Sequence, residues 1–523
     1  MVISTHPQQD TWTPLILLVE SEFFGPEAWN FLEQIRTQYG PTSTIGGLWG
    51  GRELNIFDPK AMHHILVKDQ QIWEEEPRFL TFVLPQYDAS SLQTHCLDRA
   101  NGLVFGKGLL ATAGDLHRKQ RKMLNPVFSA AHLRDMTPIF YDVVKRLSDT
   151  LTKTVSAEEQ EIDVLSWSSR TALELIGQSG LGYSFDPLTD EACAHPYPAA
   201  LKALLPLMQR TAPAQLLVVH LVKIFPSWFL RLFAVHLPIR DLQDLRKLTD
   251  YMWELSTEIY QGKLRALEAG DEAVHEQMSR GKDIMSILMN QNMKASDEEK
   301  LDEEQLIGQS ALARTLHLLS QRPEVQSKLR QEVRAAREAQ DGENVPYDVL
   351  VALPYLDAIC RETLRLYGPA PRVSRESIQD VIVPFSTPVR CTDGSIVNEI
   401  TLPANTKVHI DIVNANRNPE LWGPDALEWK PERWLSSLPS TITEAKVPGI
   451  YSHLMTFIGG GRSCIGFKFS QLEMKVVLFQ LVEAFEFRPT DKEIYWESNP
   501  VVNPVVKGGS QVAKLPIRVA LAK

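Results

Sequence analysis

A glycine-rich stretch, Phe457–Gly466, holds a cysteine near its end and leads directly into an amphipathic helix. A cysteine that ligates a metal does so as a thiolate, which is stable when N–H groups and positive charge lie close to the sulfur. Glycines permit that approach because they lack Cβ, and a helix start supplies the positive end of its dipole. The alternative is a turn that ends in a buried cysteine. The combination, with Arg462 nearby, favours a thiolate ligand at Cys464.

Composition and cysteine spacing exclude several classes of protein. Cys96, Cys193, Cys360 and Cys391 are far apart and form no CxxC pair, which argues against a zinc site or a disulfide framework. The net charge of −11 over 523 residues argues against a nucleic-acid partner, because such proteins usually have a basic face. A hydrophobic share of 44% and a charged share of 23% are typical of soluble globular proteins.

The apolar pattern predicts a mainly α-helical chain with small β-sheets, an α+β arrangement in one large domain. The predicted helices are Asp115–Leu124, Leu306–Gln321, Glu324–Gln340, Pro354–Leu366 and Gly466–Ala484. Strand-like sequence lies near Ile45–Phe57 and between Val373 and Ile412, where prolines separate short apolar runs. We expect these strands to form small sheets between the helices.

Residues 201–237 are unusually apolar. Because proline disrupts helices, we expect Pro206, Pro213, Pro226 and Pro238 to break this stretch into pieces, which excludes one spanning helix. Buried core helices are one interpretation. A surface that dips into lipid or admits a hydrophobic substrate is the other.

The N-terminal region contains one short apolar run, Thr13–Val19, which Glu20 closes. A membrane-spanning helix needs about 20 apolar residues. A signal peptide begins with a basic segment, which this run lacks. We therefore assign residues 1–23 to a leader without a clear transmembrane anchor.

The stretch Phe457–Gly466 matches the pattern F-x-x-G-x-R-x-C-x-G in full. In this pattern the chain resembles the cytochrome P450 family, and in particular its fungal microsomal members. The resemblance extends from about Phe24 to the C-terminus. The resemblance implies a haem-thiolate monooxygenase with the P450 fold. It also implies that residues 24–523 form a single domain around haem b.

The same resemblance assigns roles within the stretch. Cys464 would be the axial ligand of the haem iron. Arg462 would pair with a haem propionate, because a fork-shaped cation suits a carboxylate. Phe457 would pack against the haem ring, and Gly466 would belong to the same cofactor site.

Two further motifs fit the family in order and spacing. Glu362 and Arg365 match its E-x-x-R, and residues three apart on a helix share a face. Residues 431–434, Pro-Glu-Arg-Trp, resemble a P-E-R-F segment whose arginine, here Arg433, joins that pair. The resemblance implies a buried three-member network that fixes the loop carrying the cysteine.

Three other basic residues are candidates for binding the propionates. His117 and Arg121 lie four residues apart on a predicted helix and match the family's W-x-x-x-R, with histidine in place of tryptophan. Arg375 follows Arg365 by ten residues, where family members often have another propionate partner. For each residue, a solvated basic surface is the alternative.

A basic cluster, Arg118, Lys119, Arg121 and Lys122, is a candidate docking surface. By resemblance it borders the face where a flavoprotein, NADPH-cytochrome reductase, delivers electrons. Opposite charges would steer such a transient contact. An ordinary exposed charged helix is the alternative.

The substrate is expected to be a hydrophobic small molecule. By family position, residues 370–373 and 501–503 would line its pocket, and residues 103–110 would form part of the roof. Core packing is the alternative for each. Resemblance further implies a role in fungal secondary metabolism and a location at the cytoplasmic face of the endoplasmic reticulum membrane, with peripheral membrane contact.

The chain departs from the family at the helix that crosses the distal haem face. That helix normally carries A/G-G-x-D/E-T-T, whose acid and alcohol relay protons during oxygen activation. Residues 306–309 resemble its usual start and residues 310–316 its usual continuation. By analogy about 14 residues, or roughly 21 Å of helix, are missing between them. Because 14 residues make close to four whole turns, their loss would preserve the helical phase. It would shorten the helix. Thr315 follows Arg314 and does not match the catalytic threonine, so no catalytic residue is assigned.

Three explanations compete for this gap. A wrongly predicted intron or an alternative transcript is favoured, because both flanks are intact. The second explanation is a true variant that binds haem without redox turnover. The third is an unusual enzyme that uses peroxide or rearranges a hydroperoxide. Sequencing transcripts across Gln309 and Ser310 separates the first explanation from the others.

We expect the 523-residue chain to be a poor monooxygenase, because the proton-relaying acid and alcohol are missing. Product formation should be low with reductase, NADPH and O₂. A peroxide-dependent enzyme would instead form product with hydrogen peroxide alone. Robust reductase-dependent turnover by the purified chain would contradict this expectation.

Overall fold

The computed structural model describes residues 28–46, 52–75, 109, 112–156, 158–189, 196–211, 235–268, 304–391, 393–499, 501–509 and 512–523. The chain divides into two compact units. The first comprises Met1–Glu76, Thr154–Ser168 and Ile307–Lys523; the second comprises Pro77–Lys153 and Ser169–Leu306. This division falls inside residues 24–523, whose assignment to one haem domain stays a prediction.

All strands in the described residues belong to the first unit. They are β1 (Thr42–Gly46), β2 (Arg52–Ile56), β3 (Trp73–Glu75), β4 (Gln160–Asp163), β5 (Arg372–Ser377), β6 (Val381–Arg390), β7 (Ile396–Leu402), β8 (Lys407–Asp411), β9 (Phe485–Arg488), β10 (Ile494–Asn499), β11 (Val501–Val506) and β12 (Pro516–Leu521). They form a five-stranded sheet in the order β1-β2-β8-β5-β3 and smaller sheets β4-β12-β9, β6-β7 and β10-β11.

The five-stranded sheet joins the N-terminal region to the second half of the chain. β2 and β8 are parallel, with Leu54 opposite Val408 and Ile56 opposite Ile410. β5 is antiparallel to β8. These four aliphatic side chains are buried. They alternate along each strand with residues on the other face, so one face of the sheet packs into the core.

The α-helices that the structure describes are α1 (Ala28–Tyr39), α2 (Pro59–His63), α3 (Gly114–Leu124), α4 (Ala130–Val155), α5 (Val164–Ile176), α6 (Pro196–Arg210), α7 (Arg240–Glu268), α8 (Glu304–Ser320), α9 (Pro323–Glu338), α10 (Tyr347–Val351), α11 (Pro354–Leu366), α12 (Ile412–Arg417), α13 (Pro419–Trp422), α14 (Ser440–Glu444) and α15 (Phe467–Ala484). Most residues of α3 to α7 lie in the second unit. The mainly helical fold with small sheets is confirmed.

Two helices of the first unit position the cysteine loop. α11 begins at Pro354, where a missing N–H costs nothing because first-turn donors have no partner within the helix. It buries Leu356 and Ile359 completely. α15 follows the cysteine and is buried on most sides, with Leu472 and Phe479 inaccessible. The expected amphipathic helix therefore lies largely inside the core, with even Glu473 and Lys475 buried.

Predicted helix boundaries agree with the structure to within two residues, and α11 agrees at both ends.

The expectation for Pro206 was wrong: α6 continues through it from Pro196 to Arg210. Proline removes one helical hydrogen bond, a loss that a helix accommodates by bending locally. α4 likewise contains Pro138. Pro238 does lie between helical segments, whereas Pro213 and Pro226 fall outside the described residues. Among the described helices, none has the length and apolar character needed to cross a bilayer.

The buried carboxylate of Glu362 is the centre of the network that the sequence predicts. Arg365 donates to both of its oxygens, from Nε and Nη2, each at 2.8 Å. Arg433 Nε donates at 3.4 Å and Trp434 Nε1 at 3.0 Å. Arg365 Nη1 donates to the main-chain carbonyl of Asn416 at 3.0 Å. Each buried charge therefore has a partner, and the predicted three-member network is confirmed.

Glu362→Gln should lower the free energy of unfolding by about 3–5 kcal/mol, because Arg365 would stay buried without its counter-charge, whereas Arg433 would keep Asp425 at 2.7 Å. Urea unfolding of the purified protein measures the change. Glu399→Gln, at an exposed position of β7, is the matched control and should change it by less than about 0.5 kcal/mol. Equal stability of the two variants would contradict the role assigned to Glu362.

Candidate active site

The cysteine loop, residues 455–466, is tied to the Glu362 network by hydrogen bonds. Asn416, whose carbonyl binds Arg365, accepts from Met455 N–H through Oδ1 at 2.7 Å. Its Nδ2 donates to Thr456 Oγ1 at 2.9 Å. Thr456 Oγ1 donates in turn to the carbonyl of Leu364 at 2.7 Å. The start of the loop is thus anchored to α11 and α12 through buried polar groups.

The loop folds back on itself before α15 begins. Cys464 N–H donates to the carbonyl of Phe457 at 3.0 Å, and Ser463 N–H to that of Gly460 at 3.1 Å. Cys464 lies three residues before the first residue of α15, and its side chain is partly exposed. Cys360 and Cys391 are buried. Of the described cysteines Cys360, Cys391 and Cys464, the last is therefore the one that is partly exposed, and it lies just before a helix start.

Two consecutive glycines of the loop pack against the backbone of other segments. A Cβ atom on Gly459 would lie 1.9 Å from the carbonyl oxygen of Pro448. One on Gly460 would lie 1.7 Å from that of Leu66, and Gly460 also has φ +75°. Both distances are far below van der Waals contact, and the positive φ favours glycine. These glycines therefore serve close packing, a task beyond the approach to the sulfur that the sequence predicts.

Backbone strain lies next to these glycines. Ile458 has φ +45° and ψ −169°, a conformation that β-branched residues rarely adopt. Its N–H donates to Met455 O at 2.8 Å, and its carbonyl accepts from Ile450 N–H at 3.1 Å. Such strain persists when the surroundings over-determine the backbone, and it concentrates at functional sites.

Phe457 is buried beneath the loop among other aromatic rings. Its centroid lies 5.8 Å from that of Tyr451 and 6.1 Å from that of Phe467. Edge-on and tilted ring pairs at these distances are favourable. The phenyl group thus supports the loop from within the protein. Its predicted contact with a haem ring stays a prediction.

The segments expected to line a substrate pocket meet beside α8. Val502 N–H donates to the carbonyl of Pro369 at 3.0 Å, which brings residues 501–503 to residues 370–373. Ser310 Oγ donates to the carbonyl of Val502. The structure therefore places both segments together. Of residues 103–110, the structure describes Leu109 alone.

α8 is continuous across Gln309 and Ser310. The expected loss of about four turns at this point, with helical phase preserved, stays a prediction. From residue 305 onward the helix contains no Asp or Glu. Its hydroxyls bond to main-chain carbonyls: Ser310 to that of β11, Thr315 at 2.8 Å and Ser320 at 2.7 Å. Within this part of the chain, α8 offers neither the acid nor an uncommitted alcohol.

The ionisable groups of α8 are basic, and sequence reasoning gave them no role. Arg314 lies over the rings of Tyr367 and Trp496, 4.0 and 4.5 Å from their centroids. Burial lowers the pKa of Arg314 to about 10, and burial together with Arg314 lowers the pKa of His317 to about 4. At neutral pH, Arg314 is therefore a fixed cation and His317 is neutral. Neither replaces a carboxylic acid.

Comparison with known proteins assigns the family. The family model described as cytochrome P450 matches residues 7–507. The chain belongs to the cytochrome P450 family. Cytochrome P450 monooxygenase 91 from Postia placenta is 45% identical over 515 residues, 96% of this chain and 91% of the relative. Ganoderic acid synthetase from Ganoderma lucidum is 44% identical over 501 residues, 93% of this chain and 88% of the relative.

A solved structure agrees with this assignment at the level of the fold. The crystal structure of a cytochrome P450 aligns with a TM-score of 0.67 at 20% identity, and the alignment covers 94% of this chain and 97% of that one. The predicted P450 fold is confirmed. Membership of the P450 monooxygenases makes the chain an oxidoreductase by family and implies a haem cofactor.

Two arginines of the first unit fit the acidic groups of a haem. Arg375, on β5, is 4% exposed, and its Nη2 has no hydrogen-bond partner among the described residues. It lies 3.8 Å from Glu75 Oε1, beyond hydrogen-bond range. Arg462 Nη2 lies 3.9 Å from Glu74 Oε2. Burial and the Arg462 charge lower the pKa of Arg375, whereas Glu75 raises it. A buried guanidinium with an unused donor is suited to a further carboxylate.

Glu74 and Glu75 were missed by sequence reasoning, although the acidic run after Trp73 was visible. Their neighbours Arg375 and Arg462 were both predicted, and the structure brings them together on the first unit. His117 and Arg121 lie four residues apart on α3, in the second unit. Their predicted contact with the haem stays a prediction, as does that of Gly466, which caps α15.

Glu473, on α15, is a buried acid without a charged partner. It is 3% exposed, and its Oε1 has no hydrogen-bond partner among the described residues. Burial raises the pKa of Glu473 from 4.5 to about 8. One turn earlier, the buried Ser470 Oγ also lacks a hydrogen-bond partner there. The side chain of Glu473 is therefore neutral at pH 7 in the folded protein.

The pKa of Glu473 makes stability depend on pH. Because the folded state binds this proton more tightly, the stabilisation is complete below pH 4.5 and is lost as pH rises towards 8. Glu473→Gln should remove a slope of up to about 1.4 kcal/mol per pH unit from the free energy of unfolding in that window. Urea unfolding at several pH values measures the slope. The exposed Glu444→Gln should keep the wild-type slope, and an unchanged slope in Glu473→Gln would contradict the assignment.

Proposed function

We propose that this P450 binds haem b through the Cys464 thiolate and oxidises a hydrophobic small molecule, with O₂ and reductase-delivered electrons. The observation that carries the proposal is the half-buried Cys464 just before α15, in a loop anchored to the Glu362 network. When bound, the haem supplies oxygen activation, and electron donation from a thiolate favours O–O cleavage.

The residues of this chain would bind and orient the cofactor. Arg375 and Arg462 would pair with propionates, since a planar guanidinium matches a carboxylate and Arg375 has an unused donor. His117 and Arg121 are proposed for the same role. Phe457 would exclude water from the proximal side, because its ring is buried with its aromatic neighbours.

We propose NADPH-cytochrome reductase as the electron donor. Three residues of the basic cluster on α3 support this, since Arg118, Lys119 and Lys122 are exposed. The Arg118 side chain is 71% exposed and pairs with Asp115 at 3.3 Å. Exposed cations steer association with an acidic partner more than they stabilise a fold. A location on the cytoplasmic face of the endoplasmic reticulum membrane, with peripheral contact, belongs to the same proposal.

For the substrate, we propose a hydrophobic product of fungal secondary metabolism. The hydrogen bond from Val502 N–H to the carbonyl of Pro369 brings residues 501–503 next to residues 370–373, and the mainly apolar composition of these segments supports an apolar pocket. The relative named ganoderic acid synthetase, 44% identical, supports a role of this kind.

A second function is favoured by one observation on α8. Its hydroxyls bond to main-chain carbonyls, and no Asp or Glu follows Glu304 in the helix. A chain that lacks the proton relay would be an impaired haem-binding protein or would use peroxide, which already carries the protons and electrons that the relay and reductase supply.

The reduced, carbon-monoxide-bound difference spectrum tests thiolate ligation. The wild-type protein should show the red-shifted Soret band of a thiolate ligand, and Cys464→Ser should lose it. Cys391→Ser, at a buried cysteine on the same unit, is the matched control and should keep it. A thiolate band that persists in Cys464→Ser would overturn the assignment of the ligand. Absence of the band from wild-type protein would overturn the haem-thiolate function of this chain.

A further inference from the structure

A short segment near the N-terminus packs directly on the cysteine loop. This segment, residues 64–72, is called the strap here. It begins with a π-helical turn, His64–Lys68, which Asp69 N–H closes by donating to the carbonyl of His64 at 2.9 Å. His64 Nδ1 also pairs with Asp69 Oδ2 at 3.2 Å. Single π turns are rare and occur frequently at functional sites, because they redirect the backbone at an energetic cost.

The strap contacts two consecutive glycines of the loop. Gly460 lies so close to the carbonyl of Leu66 that any Cβ there would overlap it. Gln70 Oε1 accepts a hydrogen bond from Gly461 N–H at 2.7 Å, and a Cβ on Gly461 would lie 2.8 Å from that oxygen. The lack of side chains at Gly460 and Gly461 therefore allows the strap to pack closely on the loop.

The contact lies three residues before the cysteine. Pro448 packs on Gly459 and Leu66 on Gly460, so the preceding glycines also touch backbone outside the loop. The strap bond is the one hydrogen bond described for the Gly461 N–H. Without it, this N–H would lose its partner, while the turn bonds of Ser463 and Cys464 and the contacts of Arg462 with Glu74 and Glu75 would remain.

We propose that Gln70 is a positioning residue for Cys464: through Gly461 it holds the loop so that the sulfur stays aligned for iron ligation. The inference rests on the proposed haem-thiolate function. Gln70 is exposed, so its removal should leave the overall stability unchanged. Its effect should be local, on how long the thiolate stays bound.

The test compares Gln70→Ala with Gln71→Ala in the haem-loaded protein. Both positions are exposed glutamines on the strap, but the hydrogen bond to the loop comes from Gln70. The measurement is the rate at which the reduced, carbon-monoxide-bound thiolate band converts to the band of a site without thiolate. Gln70→Ala should convert about 2- to 10-fold faster than wild type, the range expected for one hydrogen bond. Gln71→Ala should convert at the wild-type rate, and both variants should share the wild-type urea midpoint.

A conservative variant separates positioning from a general effect of substitution. Gln70→Glu keeps an oxygen that accepts from Gly461 N–H, so it should restore a conversion rate within about 2-fold of wild type. Equal rates for Gln70→Ala and Gln71→Ala would overturn the proposal. A lowered urea midpoint in Gln70→Ala would also overturn it, by showing that Gln70 supports the fold at large.

A second variant tests the contact from the other side. Gly461→Ala places a Cβ against Gln70 Oε1 and should displace the side chain, since the glycine has no positive φ that would make alanine strained by itself. It should accelerate conversion as Gln70→Ala does, and the double variant should be no faster than either, because both remove one interaction. Multiplying effects would overturn the assignment.

The two proposals fail in different ways. If wild-type protein shows no thiolate band, the haem-thiolate function fails, and Gln70 has no ligand to position. If wild-type and Gln71→Ala proteins show a stable thiolate band and Gln70→Ala is equally stable, the positioning role alone fails.

Discussion

The cysteine loop depends on one buried carboxylate, that of Glu362. Its two oxygens accept hydrogen bonds from Nε and Nη2 of Arg365, and Arg365 Nη1 donates to the carbonyl of Asn416. Asn416 then holds the first residues of the loop through its amide. Because each partner is buried, the loss of one leaves others unsatisfied, and the penalty extends along the chain of contacts. A group that takes no part in chemistry thus determines where the cysteine lies.

α8 combines intact packing with a lack of the proton-relaying groups that the family pattern carries. The helix is continuous from Glu304 to Ser320. Its packing is intact around Leu312, Leu316 and Leu319, which are fully buried. Proton delivery needs particular groups at particular positions. Arg314, held between two aromatic rings, stabilises this region and supplies no acid.

Much of the fold and part of the site could be predicted from sequence, because the signals were local. α11 was predicted at both ends, since Pro354 and Gly368 mark its limits. The partnership of Glu362 with Arg365 follows from helical spacing. The Gln70 contact could not be predicted, because it joins residues 391 apart and an isolated glutamine carries no pattern. Pro206 was misjudged because a local rule ignored the tertiary packing that retains α6 as one helix.

The separation of the strap from the loop has a consequence for biosynthesis. Gln70 leaves the ribosome early, but Gly461 follows 391 residues later. At about 5–20 residues per second, roughly 20–80 s pass before the two can meet. β8, the parallel partner of β2, is also made late. A cofactor that requires this loop can therefore bind only when synthesis is nearly complete, so a nascent chain has to stay soluble meanwhile with its first sheet unfinished.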